Sequence, residues 1–169
     1  MYFCRLPQLI NLKTRMDMAN HSLKLGEKLP HFILNDENHC PIDISSLTGK
    51  YLVLYFYLKD DTRGCISEAC GFRDAFRELV GAGAMVFGIS SDRPDLHFLF
   101  KNKYDLPFSL LSDTNGELRK LLGVPSDLFG LIPGRVTYIF NPEGQLIKVF
   151  KSQLSPEKHV QEALKVIKS

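Results

Sequence analysis

The chain has 169 residues, of which 44% are apolar and 24% charged, a globular composition that excludes a disordered chain. One domain of this length buries roughly 70% of its unfolded surface without covalent staples. The net charge of +2 argues against the basic field of a dedicated nucleic-acid binder, and four cysteines are too few for a disulfide scaffold but enough for redox chemistry or one metal site.

No stretch is apolar for the roughly 18 residues of a helical membrane span; the longest apolar run is Tyr51 to Leu58. The N-terminal segment mixes Leu9, Ile10 and Leu12 with Arg5, Lys13, Arg15 and Asp17, so it lacks a secretory core. Residues 1–21 read as a short targeting peptide, an arm, or an early start codon ahead of Met18, the last two favoured, and residues 22–169 as the single domain.

Asn35 to Asn38 is turn chemistry. Tyr51 to Tyr57 is short, apolar on both faces and rich in aromatic and branched residues, as in a central strand covered on both sides. Phe72, Ala75, Phe76, Leu79 and Val80 recur at helical spacing, which predicts one helix from about Cys65 to Val80, ended by Gly81 and Gly83. Ala84 to Ile89 reads as a second buried strand, completing a βαβ unit. Ser90 to Pro94 reads as a capped helix start, with Leu96, Leu99 and Phe100 turned inward. A strand at Phe108–Leu111 and a helix at Glu117–Leu122 follow. Arg135–Phe140 and Gln145–Phe150 then form a hairpin about Asn141-Pro-Glu-Gly144. The last helix opens at Ser155-Pro156 and buries Val160, Ala163, Leu164 and Ile167. This α/β order, a βαβ half followed by a hairpin and a terminal helix, resembles that of the thioredoxin fold.

The segment Lys59-Asp-Asp-Thr-Arg-Gly-Cys65-Ile-Ser-Glu-Ala-Cys70 is where chemistry is expected. Cys65 follows a central strand and falls in the first turn of a helix, the edge where ligands gather in open α/β sheets. With Thr62 as N-cap, Cys65 is the third helical residue, and the Thr62 hydroxyl sits beside its amide. Free N–H groups and the positive helix end favour a thiolate, and Arg63 adds a nearby cation. The plain alternative is a buried structural cysteine. Zinc is disfavoured, because Cys65 and Cys70 lack C-x-x-C spacing and His39-Cys40 is the one other cluster. On an ideal helix, residues five apart have Cα atoms roughly 8.6 Å apart, and a disulfide needs them within about 7 Å. Were the pair to bond, the first turns of the helix would have to unwind.

Tyr55-Phe-Tyr-Leu-Lys-Asp-Asp-Thr-Arg-Gly-Cys-Ile-Ser-Glu-Ala-Cys-Gly-Phe-Arg-Asp74 closely resembles the active-site stretch of the peroxiredoxin Q (bacterioferritin comigratory protein) family. Gly88 to Asp92, Tyr104 to Asp113 and Gly134 to Ile139 resemble its downstream blocks, and Leu25-Gly26 with Pro30-His31-Phe32 its opening segment. The resemblance implies a peroxiredoxin-type thioredoxin fold, with a central mixed sheet and helices on both faces. It also implies a thiol peroxidase serving antioxidant defence and cell redox homeostasis. Cys65 would attack hydrogen peroxide or an alkyl hydroperoxide and become a sulfenic acid. Cys70 would resolve that into an intramolecular disulfide, reduced again by thioredoxin or a similar dithiol. Thr62 would hydrogen-bond the peroxide, and Arg135 would hold the thiolate and polarise the bond. No metal or organic cofactor is required. An intramolecular resolver suits a monomer, and working thiols suit the cytosol, with the plastid as the alternative.

The chain departs from the family at Leu58 and Arg63, where prolines are usual. Leu58 is apolar and can fill the space without the fixed φ. Glu68 belongs to the family pattern, but pairing with a cation and simple solvation stay open, so it stands outside the catalytic set. Cys4 is expected to be inert or exposed and Cys40 structural. The histidines at 21, 31, 39, 97 and 159 are expected to be solvated or capping, and Asp92 and Asp113 to be caps or turn residues. Two rival readings stand beside the peroxidase. A general disulfide oxidoreductase would need C-x-x-C at the helix start. A non-catalytic redox sensor would use the cysteine pair to alter a partner surface.

Overall fold

The computed structural model describes residues 23–127 and 132–169. The expectations for the N-terminal arm, Cys4 and His21 lie outside the described residues. Strands β1 (Ile33–Asp36), β2 (Pro41–Asp43) and β3 (Tyr51–Phe56) come first, then helices α1 (Arg63–Asp74) and α2 (Phe76–Gly81). Next are β4 (Ala84–Ser90), α3 (Pro94–Lys103), β5 (Ser109–Ser112) and α4 (Glu117–Leu121). The chain closes with β6 (Ser126–Asp127), β7 (Ile132–Pro133), β8 (Val136–Phe140), β9 (Leu146–Lys151) and α5 (Pro156–Ile167). Among these residues, no helix is long and apolar enough to cross a membrane.

Seven strands form one mixed sheet in the order β2-β1-β5-β4-β3-β8-β9. β3 runs parallel to β4 and antiparallel to β8. It is central, as its two apolar faces require, and each face packs into its own cluster. Val53 and Tyr55 join Phe72, Leu79, Phe100 and Ala163 on one side. Leu52, Leu54 and Phe56 join Leu118, Leu122 and Tyr138 on the other. In the first cluster, Tyr55 stacks on Phe72 with ring centroids 4.6 Å apart.

The register places the site. Phe56 at the end of β3 lies opposite Val136 at the start of β8. The chain that leaves β3 toward α1 and the chain that brings in Arg135 therefore meet at one sheet edge.

Five local expectations are corrected. The turn after β1 starts at Glu37, because Asn35 and Asp36 pair with β5. The single helix to Val80 breaks at Ala75, between α1 and α2. Leu79 stays buried while Val80 is left exposed, so the apolar stripe is not one continuous face. On α3, Leu96 and Leu99 are 44% and 63% exposed, and the inward residues are His97 and Phe100. Asp92 does not cap α3; the cap position is Arg93, without a side-chain bond. Asp113, by contrast, accepts from the amides of Leu118 and Arg119 at 3.1 and 2.9 Å, as a cap should. On α5, Leu164 is only partly buried, and His159 joins Val160, Ala163 and Ile167 on the inner face.

Candidate active site

α1 begins with Thr62 as its N-cap, so Cys65 is the third helical residue and Cys70 lies further along the same intact helix. Both thiols are free, Cys65 buried and Cys70 half-buried. The Thr62 hydroxyl is not a cap in the hydrogen-bonding sense. It donates back to the Lys59 carbonyl at 3.1 Å, and no side-chain bond reaches the helix amides. Arg63 is exposed. Leu58 packs against the same apolar cluster as Cys65.

Arg135 converges on the cysteine from the other side of the sheet edge. Its Nη2 donates to Cys65 Sγ at 3.5 Å, and its Nη1 donates to the Gly64 carbonyl at 3.1 Å. Nη1 also donates to Glu68. Its backbone N–H is held by Gln153 Oε1 at 2.9 Å. Arg135 is 6% exposed and Cys65 1%, so this cation acts where water screens it little. Arg119 braces both incoming chains, donating to the carbonyls of Gly134 and Tyr57 at 3.0 and 2.9 Å. A side chain at Gly134 would meet the Pro125 carbonyl oxygen at 2.3 Å, so this close approach needs glycine.

Two buried networks that the sequence reading missed support the site. The first holds the loop between β3 and α1. Asp60 pairs with His97 Nδ1 at 2.8 Å, accepts from the Tyr57 hydroxyl at 2.7 Å, and donates its amide to Asp92 at 2.8 Å. Asp61, with φ at +59°, takes the left-handed conformation that aspartate tolerates, and pairs with Lys103 at 2.7 Å.

The second network lies behind Arg135. Glu68 is fully buried. Burial pushes its carboxyl up to about 8, against the lowering effect of Arg135. His159, also fully buried, meets Thr137 Oγ1 through Nδ1 at 2.8 Å and the Ser152 carbonyl through Nε2 at 2.8 Å. Burial pushes it down to about 4. His97 and His159 are therefore neither solvated nor caps. His31 and His39 do sit at the surface, near Asp43 and Asp95. Cys40, expected to be structural, is exposed. A sequence signal did exist for both buried histidines. His159, Ala163 and Ile167 share one helical stripe, and His97 shares another with Phe100, placing a polar residue inside an apolar face each time.

Such a site can do nucleophilic sulfur chemistry. A buried guanidinium in contact with a sulfur stabilises negative charge that develops there. A second thiol, Cys70, lies five residues further along the same helix.

Comparison with known proteins decides the family. Residues 25–149 match the model of the AhpC/TSA family. The chain is 46% identical over 144 residues to the chloroplastic peroxiredoxin Q of Sedum lineare, covering 85% of this chain and 77% of that protein. The chloroplastic peroxiredoxin Q of Populus jackii is 45% identical over the same length, covering 85% and 68%. This chain is a peroxiredoxin of the Q type, within the AhpC/TSA family.

A mutant of PrxQ from Xylella fastidiosa superposes with a TM-score of 0.80 at 27% identity, covering 88% of this chain and 97% of that one. The peroxiredoxin-type thioredoxin fold and the enzyme class, a thiol-dependent peroxidase, follow from this membership.

Two outcomes test the geometry. A Cβ at Gly64 would lie 2.8 Å from Arg135 Nη2, the nitrogen that reaches the sulfur. Gly64→Ala should therefore push the guanidinium aside while suiting the helix. Losing one charged hydrogen bond of about 1.5–3 kcal/mol should slow alkylation of Cys65 by iodoacetamide about 10–100-fold, with little change in melting temperature. Unchanged alkylation would mean that Arg135 does not activate this thiol.

His159 supplies a pH test. Its ordinary value of 6.5 falls to about 4 in the fold, so the unfolded chain binds the extra proton between those values. The stability held above pH 6.5 should drain as pH falls toward 4, by about 3 kcal/mol. Glu68 tilts part of that window the other way, because the fold keeps its proton. The measurement is thus the difference between wild type and His159→Gln in urea unfolding across that range. Parallel pH curves for the two proteins would show that His159 is not held neutral.

Proposed function

We propose that Cys65 is the peroxidatic cysteine of a peroxidase acting on hydrogen peroxide and alkyl hydroperoxides. The observation that carries this reading is Arg135 Nη2 at 3.5 Å from a buried sulfur at the start of α1. The thiolate attacks one peroxide oxygen. The S–O bond forms as the O–O bond breaks, and the leaving oxygen takes a proton to depart as water or alcohol, leaving the sulfenic acid. Arg135, aimed at the sulfur in advance, stabilises the negative charge moving along S–O–O. The Thr62 hydroxyl, which donates to Lys59, offers its lone pairs to the peroxide O–H. Cys70 then attacks the sulfenic sulfur, forming the disulfide and releasing water. A thioredoxin-like dithiol reduces that disulfide and is itself oxidised.

Resolution within one chain supports a monomer built of one domain, residues 22–169, in a role of antioxidant defence and redox homeostasis. Cycling thiols need a reducing compartment. The plant relatives are chloroplast proteins by name, which favours the plastid over the cytosol that thiol usage alone suggests.

Stopped-flow mixing with hydrogen peroxide tests the assignment. Wild-type protein should be oxidised orders of magnitude faster than a free thiol, and Cys65→Ser should show no fast phase. Cys70→Ser should accumulate sulfenic or sulfinic acid at Cys65 after one turnover. Oxidation of Cys65 at free-thiol speed would leave the redox-sensor reading in its place, and normal recycling of Cys70→Ser by thioredoxin would remove Cys70 as resolver. With both thiols free, α1 is intact, and its spacing forbids the bond. Amides 65–70 should therefore exchange faster in the oxidised protein than in the reduced one; equal protection would mean that the helix does not open.

A further inference from the structure

Two groups able to carry negative charge face one guanidinium. Arg135 donates through Nη1 to Glu68 and through Nη2 to Cys65 Sγ, and all three side chains are buried. With both acids ionised, one negative charge stays uncompensated in a medium that penalises it. With one proton kept between them, the cluster is neutral.

The surroundings decide which of them keeps the proton. Cys65 lies in the first turn of α1, where free N–H groups favour an anion. Glu68 lies one turn further in. Its Oε2 accepts from Arg135, but its Oε1 is buried without any hydrogen-bond partner. The polar atom facing Oε1 is His159 Nδ1, at 3.5 Å. His159 Nε2 meets the Ser152 carbonyl, which only accepts, so Nε2 carries the hydrogen. In the neutral ring Nδ1 is then an acceptor, and its lone pair takes the Thr137 hydroxyl at 2.8 Å. Nδ1 therefore offers Oε1 no donor, and a carboxylate oxygen buried without a donor is penalised more than a neutral carboxyl.

We propose that the proton shared between Cys65 and Glu68 rests on Glu68, whose Oε1 has no donor, and that this leaves the charge of Arg135 to the Cys65 sulfur. The inference rests on the reading of Cys65 as the attacking thiol. Glu68 is then a positioning residue, acting through Arg135 and never touching peroxide. The upward push on Glu68 and the downward push on His159 both agree with this assignment. Among the described residues, the titratable groups set against Glu68 are Arg135 ahead of β8, His159 from α5 and Tyr55 from β3, with Cys65 one turn earlier on α1. Tyr55 is buried and held neutral. When Glu68 ionises, near its value of about 8, it takes a share of the guanidinium away from the sulfur.

Peroxide oxidation of the wild-type protein should accordingly slow on the alkaline side, by about tenfold once Glu68 has ionised. Glu68→Gln holds that position neutral and should abolish the alkaline fall, whereas Glu68→Ala should slow the reaction at every pH. A Gln variant that keeps the alkaline fall, or is as slow as Ala throughout, overturns the proposal.

Infrared spectroscopy gives a readout that needs neither turnover nor a Glu68 variant. The wild-type protein should show a protonated-carboxyl band at neutral pH. In Cys65→Ser the competing anion is gone, so that band should vanish at a lower pH. No such band in the wild type, or a band indifferent to Cys65→Ser, also overturns the proposal. A shifted band without peroxide consumption would uphold the proton assignment while sinking the peroxidase reading, so the two failures are distinguishable.

Discussion

One guanidinium organises this molecule. Arg135 ties the first turn of α1 to the start of β8 through the Gly64 carbonyl, the Glu68 carboxyl and the Cys65 sulfur. None of these bonds is strong by itself, but all lie where water does not compete. Losing the cation would leave the carboxyl and the sulfur sharing a dry pocket with no compensating charge. The rest of the architecture brings that cation to its place and keeps it there.

The placement is a product of topology. β3 is central because both its faces are apolar, and its antiparallel partner β8 has to enter the sheet at the edge where β3 leaves it. Arg119 on α4 then clamps both chains at that edge, and its guanidinium also lies over the Phe56 ring, 5.4 Å from the centroid. The loop carrying Thr62 is fixed separately, by the buried contact of Asp60 with His97 and by the exposed pair of Asp61 and Lys103. Raised salt screens the second of these and barely touches the first. The loop is thus anchored firmly at one aspartate and more softly at the next.

The parts legible in the sequence were those written in local pattern. The apolar run of β3, the turn at Asn141 to Gly144 and the position of Cys65 in a helix start are all short-range signals. Arg135 was legible only through resemblance, since a lone arginine before a strand announces nothing. Glu68, His97 and His159 escaped because their meaning is supplied by residues far along the chain. The error on α3 shows the same limit. The hydrophobicity of Leu96 and Leu99 points them inward, yet β5 receives the His97–Phe100 side, where the imidazole reaches the Leu111 carbonyl at 3.3 Å. Likewise, the Thr62 hydroxyl turned back to Lys59 because the preceding loop curls enough to present that carbonyl.

The distance in sequence between Cys65 and Arg135 also bears on how the protein is made. The sulfur precedes its cation by 70 residues. At synthesis speeds of about 5–20 residues per second, roughly 4–14 s separate the two on the ribosome. During that interval the cysteine lacks the Arg135 contact. That contact waits for β8 to join the sheet, so the sulfur and its cation meet only once the long-range half of the fold is complete.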